Sequence, residues 1–207
     1  IMGRYNVFNS EGQYAQGSED LVLKNRLGIT NPDEIDGAEL VLLEKLYHFV
    51  FEDHFPADQQ LSVDQIRAWH ALWLGNLYDW AGQNRSVNIS KGGFLFASAS
   101  QIPSLLTQFN DKCLTRYTPC TGMARDRLAE AIAVVHVELI LIHPFREGNG
   151  RISRLVADVM AVQGGYPPLD YQLWEQNKTQ YIGAIHAGVG MDYEPMTYWV
   201  NQALTGG

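Results

Sequence analysis

A twelve-residue segment concentrates the side chains of this sequence that could do phosphate chemistry. The segment His143-Pro-Phe-Arg-Glu-Gly-Asn-Gly-Arg-Ile-Ser-Arg154 holds an imidazole, a carboxylate, a Gly-Asn-Gly turn and three guanidinium groups. An imidazole can accept a proton near neutral pH, so His143 is the candidate general base. A carboxylate is a hard oxygen ligand, which makes Glu147 a candidate ligand for Mg²⁺. The segment therefore predicts a site that binds a phosphate group and moves a proton beside it.

The residues of this segment also predict a turn between two helices. Pro144 lacks the N–H that a helix interior needs and restricts the residue before it, so the helical pattern upstream should end here. Gly148 and Gly150 allow a sharp turn and a close approach to a ligand. A new apolar pattern begins at Ile152, which places residues 149–151 at the start of a helix. The unpaired N–H groups and the positive dipole at that helix end favour a bound phosphate.

Two guanidinium groups should face the same ligand. Arg151 and Arg154 lie three residues apart and can point to the same side of the predicted helix. A guanidinium is always charged and binds phosphate through two parallel hydrogen bonds. The alternative is an ordinary loop between helices, in which the glycines and the proline serve the turn and the arginines are solvated. The combination of all these groups in one short segment favours the phosphate site.

The segment resembles the Fic family motif, His-Pro-Phe-x-(Asp/Glu)-Gly-Asn-Gly-Arg-x-x-Arg, and matches it at every specified position. The resemblance implies a protein adenylyltransferase, which transfers AMP from the co-substrate ATP to a Ser, Thr or Tyr hydroxyl of a target protein. By position in the motif it implies His143 as the base, Phe145 as the hydrophobic anchor of the loop and Glu147 as the Mg²⁺ ligand. The implied ATP-binding residues are the glycines, the asparagine and two arginines of the loop: Gly148, Asn149, Gly150, Arg151 and Arg154.

Other nucleotide-binding motifs fit this sequence less well. It has no Gly-x4-Gly-Lys-(Ser/Thr) stretch, and its Gly-Asn-Gly follows a helical pattern rather than a strand, which argues against a dinucleotide fold. The Doc-like branch of the Fic fold phosphorylates its target and has Lys where this chain has Gly150, so the resemblance favours AMP transfer. Two alternatives stay open: a catalytically silent nucleotide-binding interaction module, and a Fic-fold enzyme that transfers another phosphate-containing group.

The composition favours one domain and excludes several classes of partner. The 207 residues are 46% hydrophobic, which suffices for one sizeable core. A formal net charge of −8 would repel phosphate backbones, so direct nucleic-acid binding is not expected. No apolar run reaches the roughly 18 residues of a membrane span. We therefore expect a cytoplasmic bacterial protein without a membrane anchor, while export as an effector stays open. Cys113 and Cys120 fit no metal framework and are expected to be free thiols.

Apolar residues at three- and four-residue spacing predict an all-α fold built around one central helix. The most apolar pattern, residues 124–142, should be buried all round and should deliver His143 from its C-terminal end. Other helices are expected over residues 35–51, from Ser62 into residues 78–83, over 100–109, after the motif as far as Gly164, and over 196–204. The expected N-caps are Asn31, Ser62 and Ser100, and the expected C-cap of the second helix is Gly82. His70, His136 and Glu138 are interpreted as structural residues.

Residues 85–97 interrupt the helical pattern and predict a β-hairpin. Val87 and Ile89 alternate with polar residues, Lys91-Gly92-Gly93 forms a turn, and Phe94 and Phe96 alternate again. The resemblance implies that this hairpin is a flap over the active site, which pairs with an extended target segment through its strand edge. The implied docking residues are Ile89, Lys91, Gly92, Gly93 and Phe94. The alternative is a hairpin that only covers the core.

Two further assignments rest on the resemblance. Residues 177–187 are similar to the Fic segment that faces the adenosine, which makes Asn177, Tyr181 and Ile185 candidates for that pocket. Residues 1–30 should form an N-terminal arm on a single Fic domain of residues 31–207, with the Fic helical bundle and flap.

The resemblance also bears on control of the site. Many Fic proteins are silenced by a helix with (Ser/Thr)-x-x-x-Glu-(Gly/Asn), whose glutamate pairs with the final arginine of the motif, here Arg154. The nearest match is Thr30-Asn-Pro-Asp-Glu34, but Ile35 follows it and Pro32 would spoil a helix interior. We therefore expect control by a separate small antitoxin-like protein that carries such a helix, as in Fic toxin–antitoxin pairs. The alternatives are an inhibitory segment that is missing from this sequence and one written in an unrecognised form.

Overall fold

A computed structural model describes residues 6–7 and 12–205 of the chain. Its helices are α1 (Pro32–His48), α2 (Val63–Leu74), α3 (Ile102–Phe109), α4 (Thr115–Tyr117), α5 (Arg125–Ile142), α6 (Asn149–Gln163), α7 (Gln172–Gln176), α8 (Lys178–Ala187) and α9 (Glu194–Ala203). The strands are β1 (Asn6–Val7), β2 (Ile89–Lys91) and β3 (Phe94–Leu95). The expected helical fold with a β-hairpin is confirmed. Residues 1–5 and 8–11 of the expected arm lie outside the described part.

Helix α5 is the centre of the fold, as its sequence predicted. Residues on every side of it are buried, among them Leu128, Ile132, Val135 and Leu139. It packs against α3, α6, α8 and α9, so its whole circumference is covered by other helices. This burial fixes the position of its C-terminal end, where His143 follows Ile142.

Helix α1 begins at Pro32, directly after the predicted cap, and ends at His48, where a π-helical turn over Phe49–Asp53 replaces the predicted last residues of the helix. The Asn31 side chain accepts hydrogen bonds from the N–H groups of Asp33 and Glu34, so the expected N-cap is confirmed. Leu40, an apolar residue of this helix, is 55% exposed. The neighbouring Glu39 is buried although it is charged, which the apolar pattern of the sequence did not predict.

Helix α2 ends earlier than predicted. Ser62 caps its start by accepting from the N–H of Gln65, as expected, but the helix stops at Leu74 and not near Gly82. Gly82 has φ +77° and lies so close to α2 that a Cβ there would stand 2.8 Å from the Cβ of Ala71. The chain therefore folds back on the helix, and Gly82 serves this close approach instead of a C-cap.

The predicted cap of α3 is also corrected. Helix α3 begins at Ile102, after a 3₁₀ turn over Ala99–Gln101, and Ser100 bonds to the hydroxyl of Ser98. The N–H of Ala99 is satisfied by the side chain of Asn88 instead. Asn88, eleven positions away from Ala99, thus provides the capping hydrogen bond that was expected from Ser100.

The hairpin of β2 and β3 is joined by a third strand from the arm. Lys91 pairs with Phe94 around the two-residue turn Gly92–Gly93, whose φ angles of +58° and +82° suit glycine. Strand β1 pairs antiparallel with the other side of β2, in the order β1-β2-β3. Both edges of β2 are therefore occupied by the chain itself.

Residues 12–30 contain no helix and pack onto the domain. Val22 and Leu23 of this stretch are buried in the core, and Leu23 forms a β-bridge with Tyr14. In the described part of the chain, no helix has both the length and the apolar character to cross a membrane. Cys113 and Cys120 are buried free thiols, as expected.

The 3₁₀ turn Gly188–Gly190 offers a matched test of the packing on α5. A Cβ on Gly188 would overlap Cγ1 of Val137, whereas a Cβ on Gly190 would have no atom within 4 Å. We expect Gly188→Ala to lower the free energy of unfolding by about 1–3 kcal/mol because the core around Val137 has no room. Gly190→Ala should leave it nearly unchanged. Urea unfolding of both variants checks this, and equal stabilities would contradict the packing described.

Candidate active site

His143 ends the central helix in a left-handed conformation. Its φ and ψ are 52° and 59°, and its N–H still donates to the carbonyl of Leu139 at 3.0 Å. A left-handed non-glycine residue costs free energy, so its surroundings must hold it. The imidazole is 3% exposed and stacks on the ring of Phe96 from the hairpin, with the ring centres 3.7 Å apart.

One hydrogen bond selects the tautomer of this imidazole. Nδ1 of His143 lies 2.8 Å from the carbonyl oxygen of Ile140, which can only accept, so Nδ1 carries the hydrogen. The lone pair is then on Nε2. Burial lowers the pKa of His143 to about 3, with the positive charges of Arg85 and Lys91 acting in the same direction. The structure thus presents a neutral imidazole whose Nε2 can accept a proton.

Arg85 fastens the hairpin to the loop that follows α5. Its side chain is buried, and Nε donates to the carbonyl of His143 at 2.7 Å. The guanidinium also donates to the carbonyls of Val87 and Ala97, at the two ends of the hairpin. The N–H of Arg85 donates to the carbonyl of Pro144 at 2.8 Å. One side chain therefore fixes the hairpin and the left-handed residue together.

His70 supports the other end of the motif loop. Its Nδ1 accepts from the N–H of Gly82 at 2.8 Å, so Nε2 carries the hydrogen and donates to the carbonyl of Glu147 at 3.0 Å. The ring stacks on Phe145 with 3.8 Å between centres. Burial lowers the pKa of His70 to about 4. These contacts give His70 the structural role expected from the sequence.

The side chain of Asn149 closes the loop and is not available to a phosphate. Its Oδ1 accepts from the N–H of Phe145 at 2.9 Å, and its Nδ2 donates to the carbonyl of Phe145 at 2.8 Å. The residue is 1% exposed. The expectation that Asn149 itself cradles phosphate oxygens is therefore corrected: its carboxamide shapes the loop, and only its backbone N–H remains for a ligand.

The start of α6 has the geometry expected of a phosphate site. The first bond within the helix runs from the N–H of Ile152 to the carbonyl of Gly148, so the helix itself provides no acceptor for the N–H groups of residues 149–151. Gly148 has φ +81°, and a Cβ there would stand 2.7 Å from the ring of Trp73. A Cβ on Gly150 would meet no atom within 4 Å, which leaves space for a ligand at that point.

Glu147 has a buried oxygen that suits a metal ion. Oε1 accepts from the N–H of Gly148 at 3.2 Å, whereas Oε2 is buried and has no hydrogen-bond partner in the described part of the chain. Burial raises the pKa of Glu147 above its usual range. Within residues 6–7 and 12–205, no group of three or more His, Cys, Asp or Glu could hold a metal alone. A single carboxylate oxygen fits Mg²⁺, which proteins often bind through one carboxylate and the phosphates of a substrate.

Arg151 is held by two partners on α1 and α2. Its Nη2 donates to Oε2 of Glu39 at 2.7 Å, and its guanidinium lies 4.6 Å from the ring centre of Trp73. The side chain stays 37% exposed. It lines a cavity of about 620 Å³ between α1 and α6, together with Tyr47, Phe51 and Arg154.

Arg154 is also paired with a carboxylate of this chain. Its Nη1 lies 2.9 Å from Oε1 of Glu175 on α7, and its guanidinium packs over the ring of Tyr171 at 4.7 Å. The side chain of Glu175 is 66% exposed, so this ion pair faces solvent. The sequence had directed attention to Glu34, which instead sits at the capped start of α1.

Arg146 differs from the other two arginines of the motif. It is 3% exposed and does not line the cavity of Arg151 and Arg154. Its Nε and Nη1 are buried without hydrogen-bond partners among the described residues. The basic character of the site therefore comes from Arg151 and Arg154.

The three candidates for the adenosine pocket lie on or beside α8 and contact the protein. The Nδ2 of Asn177 donates to the carbonyl of Leu173 at 2.9 Å. The hydroxyl of Tyr181 lies 2.8 Å from Nε2 of the buried His136, and Ile185 is 7% exposed. The bond to Tyr181 gives His136 the structural role expected for it.

The flap residues divide into a buried base and an accessible tip. Ile89 is fully buried; it pairs with Val7 of β1, and on the other side its carbonyl accepts from the N–H of Phe96, just after β3, at 3.3 Å. Gly92 and Gly93 form the exposed turn, and Phe94 stacks on His186 with 4.2 Å between ring centres. Lys91 lies close enough to Glu147 for their charges to interact, and burial lowers its pKa.

Residues 60–161 match the Fic/DOC family, a range that contains the whole motif, α2 and the hairpin. This chain carries a Fic domain. The matched range ends within α6, and the segment of α8 that is expected to face the adenosine lies beyond it.

The curated relatives of this Fic domain are named protein adenylyltransferases. Protein adenylyltransferase VbhT of Bartonella schoenbuchensis is 31% identical over 148 residues, which are 70% of this chain and 30% of VbhT. Protein adenylyltransferase fic-1 of Caenorhabditis elegans is 27% identical over 68% of this chain and 27% of its own length. The chain thus spans about a third of the first relatives it matches. The probable protein adenylyltransferase y4lH of Sinorhizobium fredii is 26% identical, with 70% of this chain and 73% of y4lH covered.

Solved Fic domains show the same fold over nearly the whole chain. The Fic domain of Bep8, a translocated effector of Bartonella sp. 1-1C, superposes with a TM-score of 0.77 at 18% identity and covers 93% of this chain and 94% of its own. BepC of Bartonella tribocorum, solved with bound AMPPNP, gives 0.74 at 22% identity and covers 94% and 96%. The helices outside the matched range therefore belong to the same fold.

Three residues of this site were not singled out from the sequence. Glu39 could have been found, because a charged residue at a buried position of an apolar helical stripe needs a partner. Arg85 precedes the hairpin as an ordinary polar residue, and Glu175 has an exposed side chain on the short helix α7, so neither gave a local signal. Arg85 contacts His143, which lies 58 positions away in the sequence, and Glu175 contacts Arg154, which lies 21 positions away.

The tautomer of His143 can be tested in the free protein. Because burial lowers its pKa to about 3, the ring should stay neutral, with the hydrogen on Nδ1, from about pH 8 to about pH 5.5. Two-dimensional ¹⁵N NMR of the imidazoles measures tautomer and charge directly. A titration midpoint for His143 inside this pH interval would contradict a buried imidazole that stays neutral.

Proposed function

We propose that this chain is a protein adenylyltransferase that transfers AMP from ATP to a Ser, Thr or Tyr hydroxyl of a target protein. The observation that supports it most is the arrangement of one neutral imidazole beside the start of α6. His143 ends α5, α6 begins six residues later at Asn149, and Arg151 and Arg154 extend from its first two turns. The names of the curated relatives agree with this activity.

The transfer is a substitution at the α-phosphate. Nε2 of His143 accepts the proton of the target hydroxyl, whose oxygen then forms a bond to the α-phosphorus. The bond from that phosphorus to the bridging oxygen breaks, and pyrophosphate leaves with the electron pair. The product is a phosphodiester between AMP and the target side chain. Since the imidazole is neutral in the free protein, no prior deprotonation is needed.

The protein groups at α6 hold the charged end of the nucleotide. The N–H groups of residues 149–151 and the helix dipole favour the phosphate oxygens. The guanidinium groups of Arg151 and Arg154 bind the outer phosphates. Gly148 and Gly150 allow the chain to approach the phosphates, and the adenosine lies towards Asn177, Tyr181 and Ile185.

Mg²⁺ accompanies the ATP, with Oε2 of Glu147 as its protein ligand. When bound, the ion neutralises charge on the phosphates and on the leaving pyrophosphate. The single free carboxylate oxygen agrees with this role.

The target docks on the flap as an extended segment. Because β2 is paired on both sides, the accessible parts of the hairpin are the tip, Lys91 to Phe94, and the outer edge of β3. Main-chain pairing along this edge would place one target side chain over His143. In this arrangement residues 31–207 form the catalytic Fic domain, and the arm of residues 1–30 supplies β1 to its flap.

Control comes from a small antitoxin-like partner with a (Ser/Thr)-x-x-x-Glu helix. Its glutamate would replace Glu175 on Arg154 and exclude the outermost phosphate. The cavity between α1 and α6, lined by Leu40, Leu43 and Tyr47 and by both arginines, suits an apolar helix face that ends in a carboxylate. Glu175 is exposed and can be displaced at small cost.

The activity is tested with ATP labelled on the α-phosphate. The purified chain should label a protein in a bacterial lysate, or itself, and His143→Ala should abolish this while AMPPNP still binds. His54→Ala, an exposed histidine away from the loop, is the control and should label normally. Labelling by His143→Ala would remove His143 as the base. Nucleotide binding without transfer by the unmodified chain would support the silent binding module, and transfer of a different group would show in the mass of the product.

The metal role of Glu147 predicts a dependence on both charge and pH. Glu147→Gln keeps the shape of the side chain and removes its charge, so the Mg²⁺ concentration for half-maximal transfer should rise at least about tenfold. Because burial raises the pKa of Glu147, protonation should weaken Mg²⁺ binding of the unmodified chain as the pH falls, beginning above the ordinary value of about 4.3. Titration of Mg²⁺ against transfer rate at several pH values measures both effects. An unchanged Mg²⁺ dependence in Glu147→Gln would exclude this residue as the ligand.

A further inference from the structure

We propose that Glu39 of α1 is a positioning residue that holds the Arg151 guanidinium in place for the outer phosphates of the nucleotide. The proposal rests on the proposed function, because it concerns the phosphate end of that same site. Glu39 lies outside the motif and outside the matched range of residues 60–161. Its carboxylate reaches the motif across 112 positions of sequence.

The first support is the fixed geometry of the Glu39 carboxylate. The side chain is 2% exposed, although it is ionisable. Oε1 accepts from the hydroxyl of Tyr78 at 2.6 Å, and Oε2 accepts from Nη2 of Arg151 at 2.7 Å. Its own carbonyl accepts from Nε1 of Trp73 at 2.9 Å. A buried carboxylate needs such partners, and here each oxygen of the residue has one.

The second support is the position of the Arg151 guanidinium between two groups. Glu39 binds one end, and the ring of Trp73 lies 4.6 Å from its central carbon. The same Trp73 ring packs against Gly148 at the start of α6. Of the five N–H donors of a guanidinium, Glu39 uses one, so the others can bind a ligand in the adjoining cavity. The side chain is thus ordered before any nucleotide arrives, which removes an ordering cost from binding.

The two arginines of the site therefore differ in kind. Glu39 is buried and tied to α2, whereas Glu175 on Arg154 is 66% exposed on the short helix α7. Glu175 can move away when a phosphate binds. Glu39 cannot do so without leaving its bond to Tyr78 and exposing a buried charge. Glu39 is accordingly a permanent partner of Arg151 and not a competitor that the phosphate displaces.

An opposite role for Glu39 makes an opposite prediction. A carboxylate that only neutralised Arg151 would weaken phosphate binding, and its removal would tighten the nucleotide. A carboxylate that positions Arg151 strengthens the binding of the outer phosphates, so its removal should lower the affinity for a nucleotide that carries them. In the proposed arrangement the α-phosphate would lie nearer the start of α6, so the affinity for AMP should hardly change.

The experiment compares AMPPNP with AMP by isothermal titration in the presence of Mg²⁺. We expect Glu39→Gln to weaken AMPPNP at least about tenfold and AMP less than about twofold, since the lost charge-assisted bond fixes a group for the outer phosphates only. Tyr78→Phe leaves the carboxylate but frees one of its oxygens, and should weaken AMPPNP in the same direction by a smaller factor. Asp33→Asn, at the exposed start of the same helix and outside the cavity, removes a charge from α1 and should change the affinity for neither ligand by more than about twofold.

A double variant tests whether Glu39 acts through Arg151. In an Arg151→Ala background, Glu39→Gln should cause no further loss of AMPPNP affinity, because the group that it positions is absent. Additive losses would overturn the proposal, as would unchanged or tighter AMPPNP binding by Glu39→Gln. Equal losses of AMPPNP and AMP would show a purely structural role and would also overturn it.

The proposed function fails by a different result. If the unmodified chain binds neither AMPPNP nor AMP, the nucleotide site itself is wrong and the positioning of Arg151 falls with it. If the unmodified chain binds and transfers AMP while the Glu39 variants match it, only the positioning proposal is wrong.

Discussion

The site depends on holding one residue, His143, in a left-handed conformation between two buried helices. An α-helix cannot continue into Pro144, and the left-handed residue turns the chain towards α6 at a cost of about 1–2 kcal/mol. Three contacts offset this cost: the bond from Nδ1 to Ile140, the bond from Arg85 to the carbonyl of His143, and the stack on Phe96. Two of these come from the hairpin region. The hairpin region is therefore part of what orients the imidazole. Under the proposed function, Arg85 would link target docking on the hairpin to the geometry of the base.

The charged residues around the motif loop alternate in sign and are at least partly buried. Around the loop, charges alternate from Glu39 to Arg151 to Glu147 to Lys91, all at least partly buried. Burial dominates, so the pKa of Glu147 is raised and that of Lys91 is lowered, and each neighbour of opposite charge only moderates the shift. A phosphate chain with its metal ion would add charges of both signs at the centre of this series. In the free protein these charged groups are therefore already arranged so that such a ligand would give most of them a partner of opposite charge.

The sequence predicted what is local and missed what is distant. The caps at Asn31 and Ser62, the buried α5 and the turn at Gly92–Gly93 follow from residues within a few positions of each other. Asn149 was misjudged because an asparagine at the start of a helix can face a ligand or its own loop, and only the folded backbone of Phe145 decides. Gly82 looked like a helix end, yet contacts with α2 set its conformation. Glu39 and Arg85 acquire their meaning only when α1 and the hairpin meet the motif, which no spacing within the motif reveals.

The contrast between the two ion pairs explains how one site can be both rigid and controllable. Arg151 is paired with the buried carboxylate of Glu39, so the free energy of ordering its side chain is spent when the protein folds, and the guanidinium keeps one orientation. Arg154 is tied to a carboxylate in solvent, where an exposed pair contributes about 0–1 kcal/mol and is readily exchanged. Any anion that reaches Arg154, whether a phosphate or a partner's carboxylate, meets only that small cost. Under the proposed function, competition between the nucleotide and an inhibitory partner would therefore be confined to the guanidinium of Arg154, while Arg151 stays paired with Glu39.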